Sequence, residues 1–365
     1  MHNVPSEERI RSLLQQRIDV YHRSVGIVVG VVDANGRRIV AYGHLNQDDN
    51  RPLDGETIFE IGSVTKVFTS LLLSEMAQRG EVALDDPVAK YLPASVKVPE
   101  RDGKQITLVD LATHTSGLPR LPTNLAYRSV RNPYADYSVA DLYQFLSTYQ
   151  LNRDIGQKYE YSNLGGGLLG LALARRAGMD YGKLVRERIC VPLGMKSTTS
   201  RLDGDMQWRR AVGHDRTMQP ATNWDHGPAT AGAGELWSDA DDMLTFLASN
   251  LGYTETPLAS AMAAMLKVRR PSGMKGLEIA LAWHVLNKNG REVFWHNGGT
   301  GGYRSFIGFD LQSRVGVVAL SNAFTWEGVD DIGRHLLDPN FPAIKNPRRA
   351  AIKFFIKQWM RRMGL

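Results

Sequence analysis

A chain of 365 residues with 43% hydrophobic and 22% charged residues holds enough apolar material for one large core or two closely joined domains, and its composition does not indicate disorder. Its 44 Lys and Arg against 38 Asp and Glu leave a net charge of +6, part of it from Lys345 onward. The main body is therefore near neutral, and no basic face for nucleic acid is expected. A single cysteine, Cys190, excludes an intramolecular disulfide framework and any cysteine-built metal site within one chain.

In chain order, the segment from Met1 to Glu8 carries no basic, apolar and small-residue leader pattern. A cytoplasmic protein, or one whose leader has been removed, is expected. Ser6 to Val20 places Ile10, Leu13, Leu14 and Ile18 at helical spacing with Ser6 or Pro5 near the start. Val25 to Val32 is a β-branched run, Asp33-Ala34-Asn35-Gly36 supplies a turn, and Arg37 to Tyr42 returns, which predicts an antiparallel hairpin. Helical periodicity then dominates residues 70 to 265, as in Val67–Ala77, Leu108–Thr113, Val139–Thr148 and Leu164–Ala177. Leu277–Asn287, Glu292–His296, Tyr303–Asp310 and Val315–Asn322 read as a meander of strands. No window of 18 or more uncharged apolar residues occurs.

The expected fold class is a mixed α/β (α+β) one. A sheet lobe is built from residues 1–70 and 266–347, a mostly helical lobe from 71–265, and a cleft lies between them. Residues 348–365 form a third unit, with Ile352, Phe355, Ile356, Trp359, Met360 and Met363 on one helical face and Lys353, Lys357, Arg361 and Arg362 elsewhere. Such a basic amphipathic helix either docks on the protein or a second subunit, the favoured placement, or makes a peripheral membrane contact through 350–363. Oligomeric state is left open.

The strongest chemical signal is Gly62-Ser63-Val64-Thr65-Lys66, which starts a helix with Ser63 and Lys66 one turn apart on one face. A serine hydroxyl is a weak nucleophile, and a lysine desolvated in a cleft can act as its base. On spacing alone, a surface lysine after an N-cap serine is the commoner explanation. Two further elements change that balance: Tyr161-Ser162-Asn163 before the helix at Leu164, and His296-Asn297-Gly298-Gly299-Thr300-Gly301-Gly302 after a strand.

In these three motifs, in this order, the chain resembles the serine β-lactamase and penicillin-binding protein superfamily, over roughly residues 20 to 335. Tyr-x-Asn is similar to the branch of class C β-lactamases, D-alanyl-D-alanine carboxypeptidases and family VIII esterases. The third motif departs, because His296-Asn297-Gly298 stands where class C β-lactamases have Lys-Thr-Gly. The resemblance implies a β-lactamase/transpeptidase-like fold, an antiparallel sheet flanked by helices plus a helical lobe. It also implies catalysis by Ser63, Lys66 and Tyr161, and an oxyanion hole from the Ser63 and Gly299 N–H groups. Asn163, His296, Asn297, Gly298 and Gly299 would contact substrate; Arg304, which follows the glycine turn, either binds a substrate carboxylate or is a surface arginine on the outward face of its strand.

The implied function is a serine hydrolase acting through an acyl-enzyme on a small-molecule or peptide substrate, either a D-alanyl peptide or a β-lactam. Alternatives are a short-chain carboxylesterase of the same fold and a non-catalytic receptor or scaffold. No metal and no organic cofactor is expected, since the nine histidines are scattered and His-Glu-x-x-His is absent. By the resemblance, a periplasmic or extracytoplasmic location would apply if a leader was removed.

Several patterns are given a purely structural meaning. Gly165-Gly166-Gly167-Leu168-Leu169-Gly170 satisfies Gly-x-Gly-x-x-Gly but lies in a helix, so close packing is expected. Leu111 to Pro119, Val191 to Met195 and Ala231 to Gly234 match family landmarks. Ser238 with Asp241 is expected to form a capping box.

Overall fold

The computed structural model describes residues 4–125, 131–288, 290–325, 328–341 and 343. The basic amphipathic helix expected over 348–365 lies outside them. The N-terminal helix Glu7–Gln15 is capped by Ser6, whose side chain accepts from the Arg9 N–H, and it continues as a π-helical turn, Gln16–Val20.

The hairpin forms as β1 (Gly26–Asp33) and β2 (Gly36–Asn46), closed by Ala34 and Asn35. β3 (Asp49–Pro52) adds an edge to it. β4 (Phe59–Glu60) comes next, followed by a small hairpin of β5 (Glu100–Arg101) and β6 (Lys104–Gln105). β7 (Trp237–Ser238) returns to pair with β4. The last stretch supplies β8 (Arg270–Pro271), β9 (Leu277–Ile279), β10 (His284–Lys288), β11 (Arg291–Gly299), β12 (Arg304–Asp310) and β13 (Val315–Ser321). Together they make a nine-stranded sheet in the order β3-β2-β1-β13-β12-β11-β10-β9-β8. The two chain ends meet where β1 pairs antiparallel with β13, from Ile27 opposite Ser321 to Val32 opposite Gly316.

Both faces of that central pair are covered, which explains its continuous apolar run. Ile27, Val29, Val31, Val317 and Ala319 pack under Ile10 and Leu14 of the first helix and Ile332 and Leu336 of the helix Asp330–Leu337. Val28, Val32, Val318 and Leu320 join the larger core on the opposite face, with Leu244 and Leu247. A buried ion pair, Arg17 to Asp331 at 2.5 Å, ties the two terminal segments together.

Three sequence expectations need adjustment. The run Leu277–Asn287 is two strands, because Ala282 takes a left-handed φ of +62° and its N–H donates to the Ala112 carbonyl at 3.0 Å. No glycine or asparagine marks that turn, so it is invisible to residue-type reasoning. The cap before the helix Ala240–Asn250 is Asp239, which accepts from the Asp242 N–H, while Ser238 Oγ bonds Thr198 Oγ1. Finally, the expected lobe limit at residue 70 falls inside the continuous helix Thr65–Gln78. The helix Ala240–Asn250, expected in the helical lobe, packs on the sheet: a Cβ at Gly30 would lie 2.9 Å from Leu244 Cδ1.

The helix Thr65–Gln78 is buried on every side from Thr65 to Met76. It runs beside the helix Asn163–Ala177, whose glycines admit neighbouring backbone at close range. A Cβ on Gly170 would sit 2.7 Å from Gly232 Cα, and one on Gly166 would sit 3.0 Å from Lys66 Cε. The glycine pattern is thus a packing device. Among the described residues no helix is long and apolar enough to cross a membrane.

Gly170→Ala raises intrinsic helix propensity, yet it is expected to lower the unfolding free energy by about 1–3 kcal/mol because Gly232 backbone occupies the space. Chemical denaturation would measure it; an unchanged or raised stability would show that this contact yields.

Candidate active site

Ser63 lies in a single 3₁₀ turn, Gly62–Val64, that leads into the helix Thr65–Gln78. Its corner is fixed from both sides. The Ile61 N–H donates to the Leu236 carbonyl at 3.0 Å, and the Ile61 carbonyl accepts from Ser305 Oγ on β12 at 2.7 Å. Gly62 has a φ of +49°, and a Cβ there would fall 2.8 Å from the Gly299 nitrogen. Only glycine satisfies both the left-handed backbone and this approach, which sets the backbone beside Ser63 against the end of β11.

Lys66 follows one turn later and is 2% exposed. Its Nζ lies 3.1 Å from Ser63 Oγ, 2.9 Å from Asn163 Oδ1 and 2.7 Å from the Ala233 carbonyl. Burial, reinforced by the charge of the nearby Arg120 guanidinium, holds the amine well below the usual lysine range. A neutral amine has two N–H donors and one lone pair. Asn163 Oδ1 and the Ala233 carbonyl only accept, so they take the two donors, and the lone pair is left for the Ser63 hydroxyl. Asn163 is itself oriented, since its Nδ2 donates to the Tyr134 hydroxyl at 3.1 Å.

Ser162 positions the second motif. Its side chain accepts from the Gly165 N–H at 2.8 Å, capping the helix Asn163–Ala177, and its hydroxyl donates to the Pro119 carbonyl at 2.7 Å. Tyr161 then enters the site, with its ring 4.9 Å from Lys66 Nζ and 5.0 Å from Arg120 Cζ. Burial pushes its phenol above the ordinary tyrosine value, and hydrogen bonding to Ser63 and the Arg120 charge offset only part of that. Phenol and amine are thereby driven to opposite proton states: one keeps its proton and the other loses it.

Behind Tyr161 stand three imidazoles. The His114 and His296 rings are centred 4.5 and 6.3 Å from the Tyr161 ring, and His284 lies 5.3 Å from His296. Burial keeps all three neutral: His284 is lowered to about 4, and His114 and His296 fall well below the usual histidine value. Among the described residues no group of three or more His, Cys, Asp or Glu is placed to hold a metal ion.

A cleft of about 620 Å³ opens over Ser63 and is lined by Tyr161, Asn163, Asn297, Gly298, Gly299 and Arg304 among others. Of the residues singled out from sequence, two sit differently from expectation. His296 is fully buried and absent from the lining, its Nδ1 2.7 Å from the Asn297 carbonyl, so it supports the site from beneath instead of meeting substrate. Asn297 lines the cleft, but its amide is committed to Asp330 at 2.5 Å. Sequence reasoning missed the Ala233 carbonyl, Tyr134 and Arg120. Ala233 and Arg120 are nevertheless marked indirectly, within or directly after two of the family landmarks.

The family model described as Beta-lactamase matches residues 10–338. The chain is 33% identical over 307 residues to the D-alanyl-D-alanine-carboxypeptidase/endopeptidase AmpH of Escherichia coli K12, covering 80% of this chain and 78% of that protein. Among solved structures, a class C beta lactamase from Rhodobacter sphaeroides superposes with a TM-score of 0.76 at 26% identity, covering 91% of this chain and 97% of the other. A beta-lactamase/D-alanine carboxypeptidase from Yersinia pestis does so with a TM-score of 0.73 at 28% identity, covering 87% and 92%.

An NMR titration of the Lys66 Nζ is expected to show an ionisation well below the ordinary lysine value of about 10.4. Arg120→Gln is expected to raise it, because a cation that opposes protonation is removed. A Lys66 that titrates normally in the folded protein would contradict a neutral resting amine.

Proposed function

This chain belongs to the beta-lactamase family and is a serine hydrolase, and we propose that it cleaves D-alanyl peptides through an acyl-enzyme on Ser63, with β-lactams as pseudo-substrates. The observation that carries this reading is the setting of Lys66, a desolvated amine with two oxygen acceptors and one hydroxyl around it. The AmpH relative, matched along most of both chains, supports the peptide class.

In the proposed reaction, Ser63 Oγ attacks the carbonyl carbon while its proton passes to Lys66 Nζ. The oxyanion lies between the N–H groups of Ser63 and Gly299, at the corner where Gly62 meets β11. The C–N bond breaks as the leaving amine takes a proton from the Tyr161 phenol, which regains one from Lys66. Water then attacks the ester, giving a proton to the same pair, and Ser63 departs with a proton as the acid is released. Asn163 holds Lys66 in line and also lines the cleft, where it meets the substrate. Arg304, on β12 beside Gly299, faces the terminal carboxylate of the peptide. Its Nε is held by the Thr325 carbonyl at 2.8 Å, and its guanidinium lies over Phe324. D-alanyl peptides belong to cell walls, so an extracytoplasmic location is part of the same proposal.

A fluorescent penicillin is expected to label the wild-type protein covalently and Ser63→Ala not at all. Turnover of a D-Ala-D-Ala peptide should exceed that of nitrocefin and p-nitrophenyl butyrate, and Ser63→Ala should lose at least about 10³-fold in each. Absence of an adduct together with absence of turnover would overturn the assignment; ester turnover alone would transfer it to the carboxylesterases.

A further inference from the structure

The cleft carries a second cation that the reaction above does not use. Arg120 lines it, is exposed, and lies with its guanidinium carbon 5.0 Å from the centre of the Tyr161 ring. Among the described residues that guanidinium meets no carboxylate and no hydrogen-bond acceptor. Its backbone is anchored: the Arg120 carbonyl accepts from the N–H groups of Asn163 at 3.0 Å and Leu164 at 3.3 Å, one residue after Pro119 receives the Ser162 hydroxyl. Arg120 is therefore built onto the same motif that supplies Tyr161 and Asn163. Arg304 stands on the other wall, where a Cβ on Gly299 would come within 2.8 Å of its Nη1. Among the described residues no aspartate or glutamate lines the cleft, and burial lowers His226 to about 3 and His284 to about 4, so both lining imidazoles are neutral.

With Lys66 resting neutral, the charged side chains lining the cleft among the described residues are two guanidiniums, one on the wall of β12, which acts on the buried Asp330, and one on the wall of Tyr161. We infer that Arg120 is a specificity-determining residue for a second anionic group, so that the preferred substrate is at least dianionic, with a carboxylate on its acyl portion as well as one at its terminus. This rests on the hydrolase reading above and narrows it to acidic acyl donors. The Arg120 backbone is already fixed, so engaging a carboxylate costs side-chain freedom alone, and a partly exposed pair is sensitive to salt. A bound carboxylate would also offset the Arg120 field at Lys66, making the amine more basic once substrate is present.

The test uses the full-length protein and two matched substrate pairs. One is a pair of N-acetyl-X-D-Ala-D-Ala peptides with X glutamate or glutamine. The other is the p-nitrophenyl monoester of glutaric acid against that of valeric acid. The expected ratio of kcat/KM, acidic over neutral, is about tenfold in the wild type, near one in Arg120→Gln, and partly restored in Arg120→Lys; it should shrink in roughly 500 mM salt. Because each ratio is taken within one variant, general damage from the substitution cancels. The acid limb of kcat should lie at higher pH for the acidic member of each pair, and this difference should vanish in Arg120→Gln. A wild-type ratio near one, or a preference that survives Arg120→Gln, would overturn the inference while leaving the hydrolase reading intact. No turnover of any substrate and no penicillin adduct at Ser63 would remove both.

Discussion

A primary amine taken out of water has to lose its charge or find compensation, and this architecture arranges for it to lose its charge. Lys66 is enclosed by the Asn163 amide oxygen, the Ala233 carbonyl and the Ser63 hydroxyl, with no carboxylate among these partners to keep it protonated and the Arg120 cation set against it. The same burial acts on Tyr161 in the opposite chemical sense, fixing its proton. One physical cause, desolvation, thus separates two groups that stand side by side into an acceptor and a donor.

The fold exists to bring three remote pieces of chain to that amine. The pairing of β1 with β13 joins the chain ends in one sheet, whose strands β11 and β12 meet the Ile61–Ser63 corner through Gly299 and Ser305. Glycines in the helix Asn163–Ala177 let Lys66 and the backbone around Gly232 enter side by side, the Gly232 backbone at a distance that a Cβ on Gly170 would not permit. Ser162 caps that helix and holds Pro119 with the same hydroxyl, which ties the loop bearing Arg120 to the motif bearing Tyr161. Precision at the site follows from these supports more than from the contacting residues themselves.

Much of this is legible in the sequence where residue type and geometry coincide. Asp33 to Gly36 has to turn, a helix has to begin near Pro5 and Ser6, and the spacing of Ser63 and Lys66 puts both on one helix face. The glycine run is a matter of packing, as its place in a helix implies. What escapes is structure made by backbone alone or by context. The left-handed Ala282 that splits one expected strand into two carries no residue signal, and the Ala233 carbonyl is an acceptor any residue would supply. His296 misleads because a histidine next to a glycine turn suggests an exposed working group, whereas here it is wholly enclosed beneath the site. Asn297 shows the reverse limit, since its commitment to Asp330 depends on a helix more than thirty residues downstream.

The central claim is that Lys66 is the resting base for Ser63, and the pre-steady-state acylation rate with a slow β-lactam as a function of pH tests it most directly. A single ionisation well below the ordinary lysine value of about 10.4 is expected to govern acylation. Lys66→Arg, which brings a longer group that cannot lose its proton, should abolish acylation in protein that circular dichroism shows to be folded. An acylation rate that continues to rise through the ordinary lysine range, or that survives in Lys66→Arg, would contradict it.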